Sequence, residues 1–361
     1  METLYRRPLP AHAIAFSSPE GQAVFAEALA AGGLGGYFAL AEQYQTQSDP
    51  AFCGLGSLVV ALNALAIDPG RLWKGPWRWF SEELLDCCVS LDEVRARGVD
   101  LDTLACLARC NGADAKVVRP TGGAATLREA LARASAGSDV VILAAYDRAA
   151  LDQTGAGHFS PLAGWHAARD LVLVLDVARF KYPPHWVAVS RLEAAMRSVD
   201  PATGRSRGWI ELRRRAAALG VALSLACSGC TWPELARRLR ETLDAGWPPD
   251  ASPADVAASL QRSARHCVVR VSDNADHAAA IHATLEALRA TEAHRLARDV
   301  DPASADATAA LLLLVARSGR AGAGALDDAL LALDRDAARA PLLAAELDRL
   351  SAQSEALRAL V

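Results

Sequence analysis

The sequence has 361 residues, 52% of them hydrophobic, and a formal net charge of −4. This length is enough for two domains that each bury a core. The near balance of acidic and basic residues argues against nucleic acid or a membrane surface as partner, so we expect small molecules or proteins instead.

The first sixteen residues contain no apolar run that could form the core of a signal peptide, and no apolar stretch is long enough to span a bilayer as a helix. Eight cysteines without a secretory signal favour free thiols in a reducing compartment over a disulfide framework. Together these observations predict a cytoplasmic protein.

The first element with a clear chemical meaning is an apolar run over residues 52–65, which directly follows Ser48-Asp49-Pro50. Its length and composition predict a buried helix with Cys53 at the amino-terminal end. The partly positive end of a helix lowers the pKa of a thiol from its free value of about 8.5. This position therefore favours a reactive thiolate.

Two strand-like segments, residues 157–165 and 171–178, are joined by a turn-like sequence at 167–170, which predicts a hairpin. His158 lies in the first segment and Asp176 in the second, so the hairpin would bring their side chains within a step or two of being cross-strand neighbours. An aspartate in that position can fix the tautomer and the orientation of the imidazole.

After about residue 215 the composition changes to alanine- and leucine-rich stretches, with arginine and aspartate at helical spacing. We therefore predict an α+β catalytic domain over residues 1–215 and a mostly helical domain over residues 216–361, with one short strand at 266–271. The second domain is a candidate for regulation.

The order of Cys53, His158 and Asp176 along the chain is that of a papain-like catalytic triad, in which a thiolate attacks a carbonyl and an imidazole moves the proton. Gln47, six residues before Cys53, lies where papain-like enzymes keep the side-chain donor of the oxyanion hole. Each residue alone could be a buried structural group, but their joint spacing favours catalysis.

Six segments resemble the phytochelatin synthase family, and the similarity covers roughly residues 4–213. They are QTQSDPAFCG (45–54), LNALAIDPGR (62–71), WKGPWRWF (73–80), LDCC (85–88), QTGAGHFSP (153–161) and LDVARFKYPPHW (175–186). The resemblance implies a papain-like cysteine peptidase fold. It also implies an enzyme that forms a γ-glutamylcysteinyl thioester from glutathione, releases glycine, and transfers the acyl group to a second glutathione or a phytochelatin.

The same resemblance implies which residues bind the substrates. Asp200 and Arg207 would face the α-amino and α-carboxylate groups of the γ-glutamyl moiety, with Gly157 beside them. The candidates for the acceptor site are Arg148, Arg179, Lys181 and Tyr182. No fixed cofactor is implied, because cadmium, zinc or copper would enter as a thiolate of the acceptor glutathione. A homodimer is left open.

Four further cysteines form a candidate heavy-metal site: Cys87, Cys88, Cys106 and Cys110. Four soft thiolates that converge can bind such ions, but buried free thiols explain the same pattern equally well. Cys227 and Cys230 have the spacing of half a zinc or redox site, yet no second pair follows with the spacing of a zinc ribbon.

Two other functions remain open at the level of the sequence. A glutathione hydrolase would use the same triad and stop at water, although the long C-terminal extension and the basic acceptor-side residues argue against it. A non-catalytic protein that buffers metal ions through its thiols would have no use for Gln47 or for the triad. The products formed from glutathione would separate the three functions.

Overall fold

The computed structural model of the protein describes residues 6–70, 72–86, 89–120, 127–215, 223–227, 232–248, 250–271, 278–318 and 324–358. The chain divides into two compact units. Unit 1 comprises Met1–Asp68, Trp79–Leu85 and Leu91–Arg215, and unit 2 comprises Pro69–Arg78, Asp86–Ser90 and Ala216–Val361. Both units are therefore discontinuous in sequence, whereas the composition had suggested two continuous domains.

Unit 1 combines helices with one antiparallel sheet and is an α+β fold. Its helices are α1 (Pro19–Ala30), α2 (Tyr37–Gln43), α3 (Cys53–Ala64), α4 (Leu91–Arg97), α5 (Leu101–Cys110), α6 (Leu127–Ser135) and α7 (Val189–Met196). Its strands are β1 (Ile14–Ala15), β2 (Ala113–Val118), β3 (Val141–Asp147), β4 (Gly157–His166), β5 (Leu171–Val174), β6 (His185–Ala188) and β7 (Gly208–Arg214).

The seven described strands of unit 1 lie in the order β1-β6-β5-β4-β3-β7-β2. Strand β4 pairs with β3, where His158 is opposite Tyr146, and on its other edge with β5, where Leu162 is opposite Val174. The hairpin predicted from the sequence is thus confirmed, with a short 3₁₀ turn at Ala167–Arg169. Asp176 follows the end of β5 and lies near the start of β4.

Helix α3 is buried on nearly all sides, because the residues from Gly54 to Leu62 are apolar or small and none of them is exposed. The helix packs against β4. It begins at Cys53, as predicted, and its N-cap residue Phe52 makes no side-chain capping bond. Side-chain caps therefore do not occupy the first amides of the helix.

Unit 2 is mainly helical, as predicted. Its helices are α8 (Trp232–Ala245), α9 (Pro253–Ser263), α10 (Ala278–Arg289), α11 (Glu292–Val300), α12 (Ala305–Arg317), α13 (Ala325–Ala337) and α14 (Pro341–Arg358). The predicted short strand is confirmed as β9 (Cys267–Val271), which pairs in antiparallel fashion with β8 (Leu223–Cys227). In the part of the chain that the structure describes, no helix has the length and apolar character needed to cross a membrane.

Candidate active site

Cys53 is the first residue of α3 and lies at the positive end of the helix dipole. Its side chain is a partly exposed free thiol. Burial alone would raise the pKa of this thiol, but the charge and hydrogen bond of His158, the backbone N–H of Phe159 and the charge of Arg148 together lower it. The site therefore favours the thiolate, which is the nucleophilic form of cysteine.

His158 and Asp176 form the pair that the hairpin predicted. His158 Nε2 lies 2.9 Å from Asp176 Oδ1, and both side chains are buried. Burial would lower the pKa of the imidazole and Arg148 also lowers it, but the carboxylate of Asp176 and the thiolate of Cys53 raise it above 6.5. Because Nε2 faces Asp176, Nδ1 is the nitrogen left for Cys53.

Asp176 is held as a carboxylate although it is completely buried. Burial would raise its pKa, but the positive charge and hydrogen bond of His158 and the charge of Arg148 hold the pKa far below its ordinary value. The backbone N–H of Ala178 donates a further hydrogen bond to Oδ1 at 2.9 Å. A charged, fixed acceptor of this kind can orient the imidazole throughout a reaction.

Gln47 packs against α3 one turn from the nucleophile, since a Cβ added to Gly56 would lie 3.1 Å from Gln47 Cβ. Its Nε2 donates to the carbonyls of Asp49 at 2.8 Å and Pro50 at 3.0 Å. These bonds fix the side-chain amide beside the loop that leads into Cys53. Both Nε2 hydrogens are used in these bonds, and Gln47 Oε1 is buried without a hydrogen-bond partner.

The segment before Cys53 is tied to the segment that carries Asp176 by two hydrogen bonds to backbone carbonyls. The Tyr44 hydroxyl donates to the carbonyl of Asp176 at 2.5 Å. The N–H of Gln47 donates to the carbonyl of Val177 at 3.0 Å. No local sequence pattern predicts this contact of Tyr44, because its partner is 132 residues away.

A second device that the sequence analysis missed is the contact between Glu82 and Ser48. The Ser48 N–H lies 3.0 Å from Oε2 and 3.2 Å from Oε1 of the buried Glu82 carboxylate, and the Ser48 hydroxyl donates to Oε2. Gly56 provides the space, because a Cβ there would lie 2.9 Å from Glu82 Oε1. Glu82 therefore holds the loop between Gln47 and Cys53.

Asp200, Arg207 and Gly157 lie together beside His158. Arg207 Nη1 lies 3.3 Å from Asp200 Oδ2, and both side chains are mostly buried. A Cβ on Gly157 would lie 2.5 Å from Arg207 Nη1, so the guanidinium rests directly on the backbone next to the base. Arg207 Nε is buried without a hydrogen-bond partner.

Arg148 contacts the carboxylate of the triad. It follows β3 directly and is 3% exposed. Its Nη2 lies 2.9 Å from Oδ1 and 2.8 Å from Oδ2 of Asp176, and its Nη1 donates to Gln153 Oε1 at 2.6 Å. Arg148 is a predicted acceptor-site residue, whereas the structure buries it against Asp176.

The other acceptor-site candidates follow Asp176 along the chain. Tyr182 is buried, and its hydroxyl accepts the Thr154 N–H at 2.8 Å. Lys181 is partly exposed, and burial lowers the pKa of its ammonium. Arg179 is exposed, with its guanidinium carbon 5.0 Å from the centroid of the Tyr44 ring. Lys181 and Arg179 therefore remain accessible to a ligand.

The predicted four-cysteine site cannot be assembled from the described residues. Cys87 and Cys88 lie outside them. Cys106 and Cys110 are buried with their sulfurs 4.0 Å apart, but Cys106 is disulfide-bonded, which corrects the expectation of a free thiol there. Among the described residues, no three or more His, Cys, Asp or Glu side chains are grouped so as to hold a metal ion.

The remaining histidines of the hairpin region have structural partners. His166 Nε2 lies 2.9 Å from Glu27 Oε2, and His166 Nδ1 accepts the Arg169 N–H at 3.1 Å. His185 is completely buried, with Nδ1 2.9 Å from the Pro183 carbonyl. Neither imidazole hydrogen-bonds to Cys53, His158 or Asp176.

The part of the chain that contains Cys53, His158 and Asp176 is similar to known proteins. A family model described as Phytochelatin synthase matches residues 4–209. The chain is 46% identical over 242 residues to glutathione gamma-glutamylcysteinyltransferase 3 of Lotus japonicus. This alignment covers 66% of the chain and 50% of the relative. It is 48% identical over 237 residues to glutathione gamma-glutamylcysteinyltransferase 1 of Triticum aestivum, with 65% and 47% covered.

A more distant relative has the same name. The chain is 39% identical over 240 residues to glutathione gamma-glutamylcysteinyltransferase of Schizosaccharomyces pombe, and the alignment covers 66% of this chain and 58% of the relative. The chain thus spans about half the length of the curated relatives it matches.

Proposed function

Because the chain belongs to the phytochelatin synthase family, we propose that it is a glutathione γ-glutamylcysteinyltransferase with Cys53 as its nucleophile. The observation that carries the proposal is that His158 interacts with both Cys53 and Asp176. A buried helix that begins at the nucleophile and packs against an antiparallel sheet carrying the base supports a papain-like fold for unit 1.

In the acylation step, the Cys53 thiolate attacks the carbonyl carbon of the cysteinyl-glycine peptide bond of glutathione. The backbone N–H of Cys53 donates to the oxyanion of the tetrahedral intermediate, and Gln47 Nε2 donates to it in place of one of its two bonds to the carbonyls of Asp49 and Pro50. The His158 imidazolium gives its proton to the leaving nitrogen, and the carbon–nitrogen bond breaks. The products are glycine and a γ-glutamylcysteinyl thioester on Cys53.

In the transfer step, the α-amino group of a second glutathione attacks the thioester carbonyl. His158, now neutral, accepts a proton from this nitrogen, and the carbon–sulfur bond breaks to regenerate the Cys53 thiolate. Asp176 holds the same imidazole orientation in both steps. The product is (γ-Glu-Cys)₂-Gly, which can serve as the next acceptor and so be lengthened.

Asp200 and Arg207 are suited to recognise the γ-glutamyl end of the donor. They offer a carboxylate for its α-ammonium group and a guanidinium for its α-carboxylate, beside the base. The buried Arg207 Nε without a partner supports this role, because an unsatisfied donor of that kind is costly unless a ligand occupies it.

The acceptor would be glutathione or a phytochelatin whose thiolate binds cadmium, zinc or copper, so that the metal ion enters as part of a substrate. Lys181 and Arg179 carry accessible positive charges in the segment that follows Asp176 and are suited to acceptor carboxylates. In this proposal the enzyme works in the cytoplasm in heavy-metal detoxification, and the helices of unit 2 modulate it.

The decisive experiment is an incubation of the full chain with millimolar glutathione, with and without cadmium or zinc. Glycine, γ-glutamylcysteine and (γ-Glu-Cys)ₙ-Gly are quantified by mass spectrometry. Cys53→Ser is the test variant, and Cys110→Ser is the matched control, because Cys110 is a buried cysteine on another helix. We expect oligomers from the wild type and the control, and none from Cys53→Ser.

Other results would contradict the proposal in distinct ways. Glycine and γ-glutamylcysteine without longer oligomers would identify a glutathione hydrolase. No product from folded wild-type protein, together with stoichiometric metal binding that Cys53→Ser barely changes, would identify a thiol metal buffer.

A further inference from the structure

Arg148 is placed where the charge of a buried triad has to be balanced. A thiolate at Cys53, an imidazolium at His158 and a carboxylate at Asp176 carry a net charge of −1. The Arg148 guanidinium adds one positive charge in direct contact with both oxygens of Asp176. Because an unbalanced buried charge is strongly unfavourable, this fourth group matters for the other three.

The guanidinium is also fixed at its other end. Arg148 Nη1 donates to Gln153 Oε1 at 2.6 Å, and Gln153 Nε2 lies 3.2 Å from His185 Nε2. His185 Nδ1 lies 2.9 Å from the Pro183 carbonyl oxygen, which can only accept a hydrogen bond, so Nδ1 carries the hydrogen. His185 Nε2 therefore accepts a hydrogen bond from Gln153 Nε2. This chain of bonds orients the amide of Gln153, and through it Arg148.

We propose that Arg148 is a positioning residue that balances the charge of Asp176, so that the group of Cys53 thiolate, His158 imidazolium, Asp176 carboxylate and Arg148 guanidinium is neutral overall. The inference rests on the proposed role of Cys53 as nucleophile and goes beyond it. It also gives Arg148 a different role from Arg179 and Lys181. Arg148 is only 3% exposed, and its Nη1 and Nη2 are hydrogen-bonded to Gln153 and Asp176, so little of its surface is left for an acceptor substrate.

The other titratable or charged groups around the triad do not substitute for Arg148. They are Tyr44, Tyr146, Lys181 and His185. Burial raises the pKa of both tyrosines and lowers the pKa of His185, so these three are uncharged near neutrality. Lys181 is partly exposed, and solvent screens its charge.

The test is the pH dependence of Cys53 alkylation by iodoacetamide, followed by mass spectrometry of the Cys53 peptide. Alkylation needs a thiolate but neither glutathione nor an acceptor. In Arg148→Gln, loss of the guanidinium raises the pKa of both Cys53 and His158. The rise in alkylation rate with pH (the acid limb, set by Cys53) should therefore move to higher pH. The fall in the rate of glycine release at high pH (the alkaline limb, set by His158) should move in the same direction. A shift of one unit lowers the alkylation rate below the limb about tenfold.

Compensating variants keep the proposal testable if Arg148→Gln folds poorly. In Arg148→Gln/Asp176→Asn both charges are removed together, and an asparagine can orient the imidazole, as in papain-like Cys-His-Asn triads. We expect this double variant to recover the low acid limb and the thermal stability that Arg148→Gln loses. Arg148→Lys retains the charge and should lie close to the wild type in its limbs. Arg197→Gln, on an exposed ion pair, is the control.

Three results would overturn the inference. In the first, the pH profiles of Arg148→Gln are unchanged and only the acceptor concentration needed for the transfer step rises, which would identify Arg148 as an acceptor-binding residue. Arg148→Lys could shift the limbs as far as Arg148→Gln, which would exclude charge as the cause. The double variant could fail to recover both limb and stability. A wild-type Cys53 that is not alkylated below its ordinary pKa would instead contradict the proposed nucleophile.

Discussion

The backbone of Gly157, the residue next to His158, lies against the guanidinium of Arg207, which is proposed to bind the donor. A Cβ on Gly157 would lie 2.5 Å from Nη1 and 2.9 Å from Cζ of Arg207. The obstructing atoms belong to the far end of a flexible side chain, which can move aside without disturbing the backbone.

Gly157→Ala should therefore impair donor binding without unfolding the protein. Displacement of Arg207 removes charged hydrogen bonds of the kind worth about 1.5–3 kcal/mol, so we expect the KM for donor glutathione to rise about 10- to 100-fold. The measurement is the initial rate of glycine release against glutathione concentration. Gly137→Ala is the control, because a Cβ there meets no atom within 4 Å, and an unchanged KM in Gly157→Ala would contradict the placement.

Gln47→Ala should lower turnover more than it raises KM, because the side-chain amide is proposed to bind an oxyanion that exists only in the reaction. The expected loss in kcat is about 10²–10³-fold. Gln43→Ala, at the end of the preceding helix, is the matched control. A loss that appears only in KM would mean that Gln47 binds the ground-state substrate instead.

Glu82→Ala should destabilise unit 1 and slow acylation together, since it leaves the Ser48 N–H and hydroxyl without their acceptor. Loss of a buried charged acceptor costs about 1–3 kcal/mol in the free energy of unfolding. Thermal unfolding and the rate of glycine release measure the two effects. Glu83→Ala, the exposed neighbour, should change neither, and a stable but inactive Glu82→Ala would point to a direct chemical role.

His185 should make the protein less stable in mild acid. Its folded-state pKa is lowered by burial, so between that value and 6.5 the unfolded state binds a proton that the folded state does not. The free energy of unfolding therefore falls as the pH drops through this interval, by at most about 1.4 kcal/mol per pH unit for one group.

The measurement is the thermal midpoint at pH 5 and pH 7 for the wild type and for His185→Gln, in which nothing titrates at that position. The variant should lose less stability on acidification, although it is less stable at pH 7. His158 is an internal reference of opposite sign, because its raised pKa contributes stability that is lost as the pH rises. Equal acid losses in both proteins would show that His185 is protonated when folded.

The sequence predicted the parts of the site that leave a local signal. The apolar run placed Cys53 at the start of a buried helix, and two strand-like segments around a turn brought His158 and Asp176 together. In each case the period of the pattern and the position of a turn were enough, because neighbours in sequence determine the geometry.

The parts that the sequence analysis missed are single contacts between distant segments. Ser48 and Glu82 are 34 residues apart, and Arg148 and Asp176 are 28 apart. The family resemblance placed Arg148 in the acceptor site together with Arg179, Lys181 and Tyr182, and no local pattern in the sequence signals its burial, because that burial depends on the packing of β3 and the segment after β5. Charge alone does not distinguish a ligand-binding cation from a counter-ion.

The two hydrogen bonds from Tyr44 and Gln47 to the carbonyls of Asp176 and Val177 also bear on how quickly the site can respond to a reagent. They join the segment before Cys53 to the segment that carries Asp176, so the arrangement of Cys53, His158 and Asp176 is built into the fold. The ordering entropy of the reacting groups is lost during folding and not again at each encounter. A small electrophile should consequently label Cys53 of the resting protein without a lag, and glutathione should slow that labelling if it binds at Cys53 as proposed.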